Sequence, residues 1–271
     1  MKGGLRSFAL VLAAIFALAP LVWMVETSLK PNREITQDGT LYPHQTTFEN
    51  YRSLFSGRDF GSYLTNSVGI TAISVLISLV LGTLAAYSLA RYRLRLGLER
   101  HVGVGLLTLR ILPPIVIIVP AFLLIARLHL LNTWFGLIVI YSAFNVSFVV
   151  WMMESFFREI PADLEEAAMV DGDSRLTAFR RIVLPLARPG LVATAIFAAI
   201  VTYNEFLFAL VLTSTPSAET MPVGAATLIG RINVDWGAMS AAGVVGAVPI
   251  VVFALLVQRH LVRGLTMGAV K

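Results

Sequence analysis

Cysteine and charge are what this sequence has least of. None of the 271 residues is cysteine, which excludes a disulfide framework, a thiolate metal site and a cysteine nucleophile. Only 14% of the residues are charged, against about 25% in typical soluble proteins. This deficit excludes a soluble enzyme, a disordered chain and a basic nucleic-acid binder. Because Lys and Arg exceed Asp and Glu only by 21 to 16, we attribute the positive net charge to basic loops beside a membrane.

Apolar residues are abundant, at 57% of the chain, and they are grouped in long runs. A membrane-spanning helix needs about 20 mostly apolar residues. In the first run Pro20 directly follows a cleavage-like Ala-Leu-Ala, and the run is too long for a signal peptide, so we interpret it as an uncleaved span. The sequence therefore predicts an all-α membrane protein, a single domain over 1–271, with six transmembrane helices at about 5–25, 65–90, 102–126, 134–157, 191–212 and 238–257.

The loops between these spans set the expected orientation. With the N-terminus inside, fourteen basic residues lie in inside segments and six in outside segments, and Arg110 lies within a span. Because basic residues accumulate in cytoplasmic loops, we expect a multi-pass protein of the cell (inner or plasma) membrane with both termini in the cytoplasm. The outside loop over 30–63 has balanced charges and several aromatic residues, so we expect it to fold or to pack.

The inside loop over 158–189 carries the most informative pattern. Pro161 is placed to start a helix, Gly172 to end it with a positive φ, and Ser174 to cap a second helix. Two interpretations are open, an amphipathic loop on lipid headgroups or a docking site for a cytoplasmic protein. Because anionic lipid repels the six acidic residues of this loop, docking is the better interpretation.

The second helix of this loop has an apolar stripe that we expect to pack back onto the spans. Leu176, Phe179 and Val183 follow one another at helical spacing, with Ile182 beside them. Pro185 is expected to end this helix.

The loop resembles the coupling loop of the inner-membrane permeases of ATP-binding-cassette importers. That family's pattern is Glu-Ala-Ala, three residues, Gly, nine residues, then Ile-x-Leu-Pro, and here 166–168, Gly172 and 182–185 match it. Over nearly its full length the chain resembles the carbohydrate-uptake branch, of the maltose-transporter G-subunit type. The residues that carry this wider resemblance include Thr27-Ser28-Leu29-Lys30-Pro31, Asn66-Ser67, Ala85-Ala86-Tyr87 with Arg91, Pro113-Pro114 and Asn204-Glu205-Phe206-Leu207.

This resemblance implies a permease subunit of an ATP-driven, binding-protein-dependent importer. Such a subunit forms half of the translocation pathway for a sugar or sugar-like solute; a polyol or glycerol-phosphate ester is the alternative. The implied partners are a second homologous permease subunit, two ATP-binding-cassette ATPase subunits, an extracytoplasmic solute-binding protein and the lipid bilayer, with no nucleic acid. The residues implied at the ATPase coupling site are Glu165, Glu166, Ala167, Ala168, Asp171, Gly172, Ile182, Leu184 and Pro185.

The sequence itself is consistent with ATP hydrolysis on separate partner subunits. It contains no G-x-x-x-x-G-K-[ST] phosphate-binding loop. We therefore expect no enzymatic activity and no cofactor in this chain, with ATP and Mg on the partner subunits. The four histidines lie in separate regions and indicate no metal site.

Polar groups inside the predicted spans are the candidates for the solute pathway. An ionised side chain at mid-membrane costs about 2.5–3.5 kcal/mol on insertion scales, so it should face protein or water. Glu205 either bonds to the partner permease or lines the pathway, and Arg110 either pairs with Glu205 or snorkels to the inner face. Since aromatic faces beside amides suit sugar rings and hydroxyls, the candidate pathway residues are Phe144, Asn145, Tyr203, Asn204, Glu205 and Phe208.

Several features depart from the family pattern or admit two explanations. Tyr203 stands where this branch commonly has Trp, Asn145 and Ser147 where a Pro is usual, and Arg110 is unexpected; these departures bear on the solute. The prolines of the third span, at 113, 114 and 120, are either tolerated kinks or a broken helix that lines a polar cavity.

Two other function classes were weighed against the importer. A stand-alone secondary transporter needs broken helices in paired halves and intramembrane acids for coupling, but Glu205 is the only deep acid. A membrane-embedded enzyme needs clustered ionisable groups at one depth, and the sequence shows none. Neither class explains the loop over 158–189.

Overall fold

The fold is known from a computed structural model, which describes residues 2–38, 42–92, 103–105, 108, 112–230 and 234–267. Regular structure in these ranges is helical, apart from one isolated bridge between Ile229 and Val234. The all-α prediction is therefore confirmed for the described part of the chain. The helices with described bounds are α1 (Lys2–Ser28), α2 (Glu49–Gly57), α3 (Phe60–Arg91), α4 (Pro114–Arg127), α5 (Trp134–Glu159), α6 (Asp163–Val170), α7 (Arg175–Leu186), α8 (Arg188–Tyr203), α9 (Leu207–Leu212), α10 (Met221–Ala226) and α11 (Trp236–Met267).

Four of these helices are long and apolar enough to cross a membrane, namely α1, α3, α5 and α11. A fifth candidate is the pair of α7 and α8, which is bent by 72°. The first, second, fourth and sixth predicted spans each lie within one of the four long helices. The third, over 102–126, is described only in part: α4 is apolar but has 14 residues, and Arg110 lies outside the described residues.

The ends of these helices follow from local sequence chemistry. Helix α4 begins at Pro114, where a proline loses no backbone hydrogen bond. The Thr133 hydroxyl caps α5 by accepting from the Gly136 N–H at 3.2 Å. At the other end Ile160 is extended, because the proline that follows it disfavours a helical conformation there. Pro161 thus ends α5, and α6 begins two residues later at Asp163, which corrects the predicted start.

By internal contacts the chain divides into two compact units, residues 1–65 with 220–249 and residues 66–219 with 250–271. In the first unit, Leu54 and Phe60 are fully buried, and Tyr63 lies with them in a cluster that includes Met221 and Leu228. The prediction that the loop over 30–63 packs is therefore confirmed. Three of the aromatic residues of this loop, at 42, 48 and 55, are exposed, however.

Polar bonds hold the same loop in place. The Asn50 amide donates to the Ser28 and Lys30 carbonyls, both at 2.8 Å. The Tyr51 hydroxyl lies 2.7 Å from the Ser28 hydroxyl. These contacts join α2 to the segment that directly follows α1.

In the second unit, α3, α5 and α7 meet around one apolar cluster. Ala86 and Leu89 come from α3, Val149 and Met153 from α5, and Val183 from α7. A Cβ added at Gly82 of α3 would lie 2.6 Å from the Val149 side chain, so a glycine is needed for this close approach. Small residues at helix contacts are typical of membrane proteins.

Candidate functional site

The helical hairpin of α6 and α7 forms most of the predicted coupling loop, and Gly172 makes its corner. The φ of Gly172 is +97°, a value that residues with a Cβ rarely adopt. Its N–H donates to the Met169 carbonyl at 3.2 Å, and the Asp173 N–H donates to the Ala168 carbonyl at 3.0 Å. These two bonds form a Schellman motif. The predicted helix end at Gly172 is confirmed.

Ser174 begins the second helix of the hairpin, as predicted. Its backbone is extended, and its hydroxyl accepts from the Thr177 N–H at 3.3 Å. Across the corner the Arg181 guanidinium lies 3.3 Å from the Asp173 carboxylate. The corner between α6 and α7 is thus defined by contacts within about ten residues of chain.

Pro185 lies one residue before the end of the second helix at Leu186, so the predicted helix end is confirmed to within one residue. A π-helical turn over Phe179–Val183 leads into Leu184–Leu186, and α8 follows after the bend at Ala187. Pro185 lies in the first turn of that last segment, where its missing N–H costs little. The α7 helix therefore ends directly after Pro185, at the bend of 72° that leads to α8.

One side of α6 and the corner after it are exposed. Val170 is 87% exposed and Leu164 44% exposed. Carboxylates alternate with these apolar side chains, and the first turn of α6 contains three acids, which the positive end of the helix dipole stabilises. The exposed members of the predicted coupling site are Glu166, Ala167, Asp171, Gly172 and Pro185.

The opposite side of α6 faces its own chain. Glu165 and Ala168 are buried. The Arg91 guanidinium donates to one Glu165 carboxylate oxygen at 2.5 Å, and the Tyr87 hydroxyl donates to the other at 2.5 Å. Arg91 also donates to the Ile160 carbonyl at 2.8 Å. The sequence grouped Glu165 with Glu166, whereas the structure turns the first carboxylate inward and the second outward.

The apolar stripe of α7 packs as predicted at two of its three positions. Phe179 and Val183 are buried in the cluster formed with α3 and α5. Leu176 is 54% exposed, so the expectation that it packs against the spans is wrong. Ile182 is half-buried, and Leu184 packs at the edge of the same cluster.

The predicted fifth span is broken rather than continuous, which corrects the range 191–212 as a single helix. Helix α8 ends at Tyr203, and α9 starts at Leu207. The Glu205 carboxylate accepts from the Phe208 N–H at 3.0 Å and from the Ala209 N–H at 3.3 Å. It therefore satisfies amide groups that the start of a helix leaves unpaired.

Glu205 has a further partner within the chain. The Tyr141 hydroxyl of α5 donates to its carboxylate at 2.7 Å. These bonds lie within this subunit, and the two predicted roles of Glu205, a bond to the partner permease or a place in the pathway, stay predictions. Tyr141 was missed by the sequence analysis, although it lies one helical turn before Asn145 on α5.

The other candidate pathway residues are only partly brought together. The rings of Phe144 and Phe208 are 5.1 Å apart between centroids. The Asn145 amide donates to the Thr202 hydroxyl at 2.6 Å, a partner that the sequence analysis also missed. Phe144 and Asn145 line a recess of about 270 Å³.

Tyr203 and Asn204 point to different environments. Tyr203 is buried, and its hydroxyl has no hydrogen-bond partner among the described residues. Asn204 is exposed, and its amide donates to the Ile200 carbonyl at 2.8 Å. Neither residue lines the recess beside Asn145. The six candidates therefore surround the helix break, and of these six Phe144 and Asn145 line the recess.

Known proteins share both the sequence pattern and this fold. Residues 78–267 match the family described as binding-protein-dependent transport system inner membrane component. The trehalose transport permease SugB of Mycobacterium tuberculosis is 42% identical over 94% of this chain and 93% of its own length. The sulfoquinovosyl glycerol transport permease SmoH of Agrobacterium fabrum is 36% identical over 98% and 93%, respectively.

A solved structure supports the fold independently. It is a bacterial ATP-binding-cassette transporter involved in the import of the acidic polysaccharide alginate. One of its chains superposes with a TM-score of 0.79 at 24% identity, covering 95% of both chains.

Proposed function

This chain belongs to the family of binding-protein-dependent transport system inner membrane components, and on that premise we propose how it takes part in transport. As a member it is a permease subunit of an ATP-binding-cassette importer, a transport component rather than an enzyme. We propose that it forms half of the translocation pathway, beside a second homologous permease. Two ATPase subunits hold ATP and Mg, and an extracytoplasmic binding protein delivers the solute.

The proposed topology has six spans in one permease domain. The four long helices supply four of them, and the apolar run over 102–126 supports another. The remaining span is α8 with α9 across the break at Glu205, rather than α7 with α8, because α7 belongs to the proposed coupling loop. Both termini and the loop over 158–189 face the cytoplasm in this proposal. The excess of basic residues in the inside segments, fourteen against six, supports this orientation.

The loop over 158–189 is proposed to dock on the ATPase subunit. The observation that carries this proposal is the exposed side of α6, which ends at the positive-φ corner of Gly172. Ala167 has a small side chain that permits close approach. Glu166 offers a carboxylate to basic groups of the partner, and charge-assisted hydrogen bonds are stronger than neutral ones.

Other residues of the coupling site lie on the side of the hairpin opposite this surface and hold the hairpin against the spans. Glu165, Ala168 and Leu184 lie on the buried side of the hairpin or at its edge. When the ATPases close on ATP, they push the docked corner. Because α7 packs on α3 and α5, that push moves the spans and opens the pathway alternately to either side of the membrane.

The transported solute is proposed to be a sugar or a glycoside. Relatives at 42% and 36% identity are named for trehalose and sulfoquinovosyl glycerol transport, so two solutes that contain sugar rings support this class. A polyol or glycerol-phosphate ester remains the alternative. The region around the break between α8 and α9 is proposed to line the pathway, through Phe144, Asn145, Tyr203, Asn204, Glu205 and Phe208. A thermal-shift screen of sugars and polyols on the cognate binding protein tests the solute class.

Docking is tested in the reconstituted importer with Gly172→Val and Glu166→Lys. Both variants should abolish uptake and weaken ATPase binding, while the protein still inserts, because neither residue lies in a span. Glu154→Lys is the matched control, since it reverses a charge on α5 outside the proposed surface. Wild-type uptake and wild-type stimulated ATP hydrolysis in both loop variants would contradict docking.

A further inference from the structure

The C-terminal end of α3 contacts both helices of the coupling loop. Arg91 and Tyr87 hold α6 through the two oxygens of the Glu165 carboxylate. Tyr87 also stacks on Phe179 of α7, with ring centroids 4.5 Å apart. The Arg175 guanidinium at the start of α7 lies 5.2 Å from the centroid of the Tyr92 ring, directly after α3. The coupling loop is covalently continuous with α5 and α8, but these polar contacts attach it to α3.

The ion pair of Arg91 and Glu165 is buried, and Arg91 also bonds to a second partner. The side chains of Arg91 and Glu165 are 12% and 9% exposed. Arg91 donates from Nε to Glu165 and from Nη2 to the carbonyl of Ile160, so one guanidinium joins α3, α6 and the end of α5. A planar guanidinium holds such a geometry better than a lysine ammonium. A buried ion pair contributes little net stability, which favours a role in setting position.

We infer that the Arg91–Glu165 pair positions the coupling loop on α3, so that movement of the loop drives the second span directly. The inference rests on the proposed docking of the loop to an ATPase. Helix α7 already packs on α3 through apolar side chains, and the pair extends this attachment to α6, the helix that carries the proposed docking surface. With the pair intact, α3 moves with the loop as one rigid body, and closure of the ATPases reaches three spans.

Neutralising Glu165, which leaves the charge of Arg91 in place, should separate ATP hydrolysis from transport. In proteoliposomes that contain the complete importer, Glu165→Gln should keep ATPase association and stimulated hydrolysis, because the exposed side of α6 is unchanged. Uptake per ATP hydrolysed should fall by about 2- to 30-fold, the range seen when residues that couple two sites are altered. Tyr87→Phe removes one hydrogen bond and keeps the ring contacts, so it should lower the same ratio by a smaller factor.

Glu154→Gln is the matched control. It breaks an ion pair within α5, to Arg158 at 2.6 Å, and should leave uptake per ATP unchanged. If the pair served only to stabilise the fold, a covalent link between positions 91 and 165 would not restore uptake per ATP. Because the chain has no native cysteine, such a link can be made between two introduced cysteines. In Arg91→Cys/Glu165→Cys, with cysteine-free partner subunits, a short bifunctional thiol reagent should restore uptake per ATP. The same reagent should not restore it in either single variant.

The outcomes separate this inference from the docking proposal. Wild-type uptake per ATP in Glu165→Gln and Tyr87→Phe overturns the positioning role. Loss of ATPase association in Glu165→Gln also overturns it, since the pair would then shape the docking surface. Failure of the covalent link to restore coupling overturns it as well. Docking fails separately if Gly172→Val and Glu166→Lys both retain full ATPase association.

Discussion

Substitutions at Gly172 distinguish two possible causes of weaker ATPase binding at the proposed docking corner, a changed backbone conformation and a changed surface contact. Apart from Gly172 itself and its two neighbours in the chain, no described heavy atom lies within 4 Å of a Cβ built at this position, so an added Cβ meets no clash with the rest of the described chain. The cost of a substitution is then the cost of a φ of +97°. For a residue with a Cβ that cost is about 1–3 kcal/mol, and it is highest for β-branched residues.

This cost predicts a measurable loss of affinity. If docking requires the corner as it stands, Gly172→Val should weaken ATPase binding by roughly 5- to 150-fold, since each 1.4 kcal/mol is a factor of ten. Gly172→Asn is the matched comparison, because asparagine is similar in size to valine but tolerates positive φ. It should bind within a factor of about three of the wild type, as a difference well under 1 kcal/mol implies.

The assay is a titration of purified ATPase against the permease pair in lipid nanodiscs. Equal losses for Gly172→Val and Gly172→Asn would show that bulk against the ATPase, not the backbone, is the cause. Unchanged affinity in Gly172→Val would refute the conformational argument.

Three further predictions concern other parts of the chain. Burial alone would raise the pKa of Asp235, but hydrogen bonds from the Ala238 N–H and from the Asn32 and Arg58 side chains outweigh it and lower that pKa. Its contribution to stability is therefore fully present above its ordinary pKa of about 3.8 and is lost as pH falls through the lower folded-state pKa. Asp235→Asn should lower the melting temperature at pH 7, and this difference from the wild type should shrink as the pH falls below about 3.8. Ser174→Cys should resist a membrane-impermeant thiol reagent in intact cells and react in inverted vesicles; labelling in intact cells contradicts the orientation. Glu205→Ala should destabilise the protein by about 0.5–2 kcal/mol, as loss of a helix cap does, and Glu205→Gln by less, since it keeps an acceptor; equal thermal stability of both variants and the wild type contradicts the capping role.

Local features of the coupling loop were predictable because short stretches of chain determine them. A glycine that ends a helix and a serine that caps the next one act through bonds to residues three to five positions away. Gly172 and Ser174 could therefore be assigned from their neighbours alone. The end of the second helix could be assigned in the same way, since α7 ends one residue after Pro185.

Partners distant in sequence were not predictable. Glu165 and Glu166 are adjacent acids, and only the position of Arg91, 74 residues before Glu165, distinguishes the buried one from the exposed one. The break after Tyr203 contains neither proline nor glycine, so its only sequence signal was the pair Asn204-Glu205 in an apolar run. The spans are apolar on most faces, so periodicity could not show which polar side chains meet.

A cross-link from Val170 tests the proposed docking most directly. This residue ends α6, is 87% exposed, and can be replaced by cysteine in a chain that has no other. Ser155→Cys is the control, because Ser155 is exposed on α5, near the end of α5 that leads into the coupling loop. With a short photoactivatable thiol reagent in the assembled importer, Val170→Cys should capture the ATPase subunit, and the yield should change when ATP is added. Capture of the ATPase by Ser155→Cys but not by Val170→Cys, or by neither variant, would contradict the account.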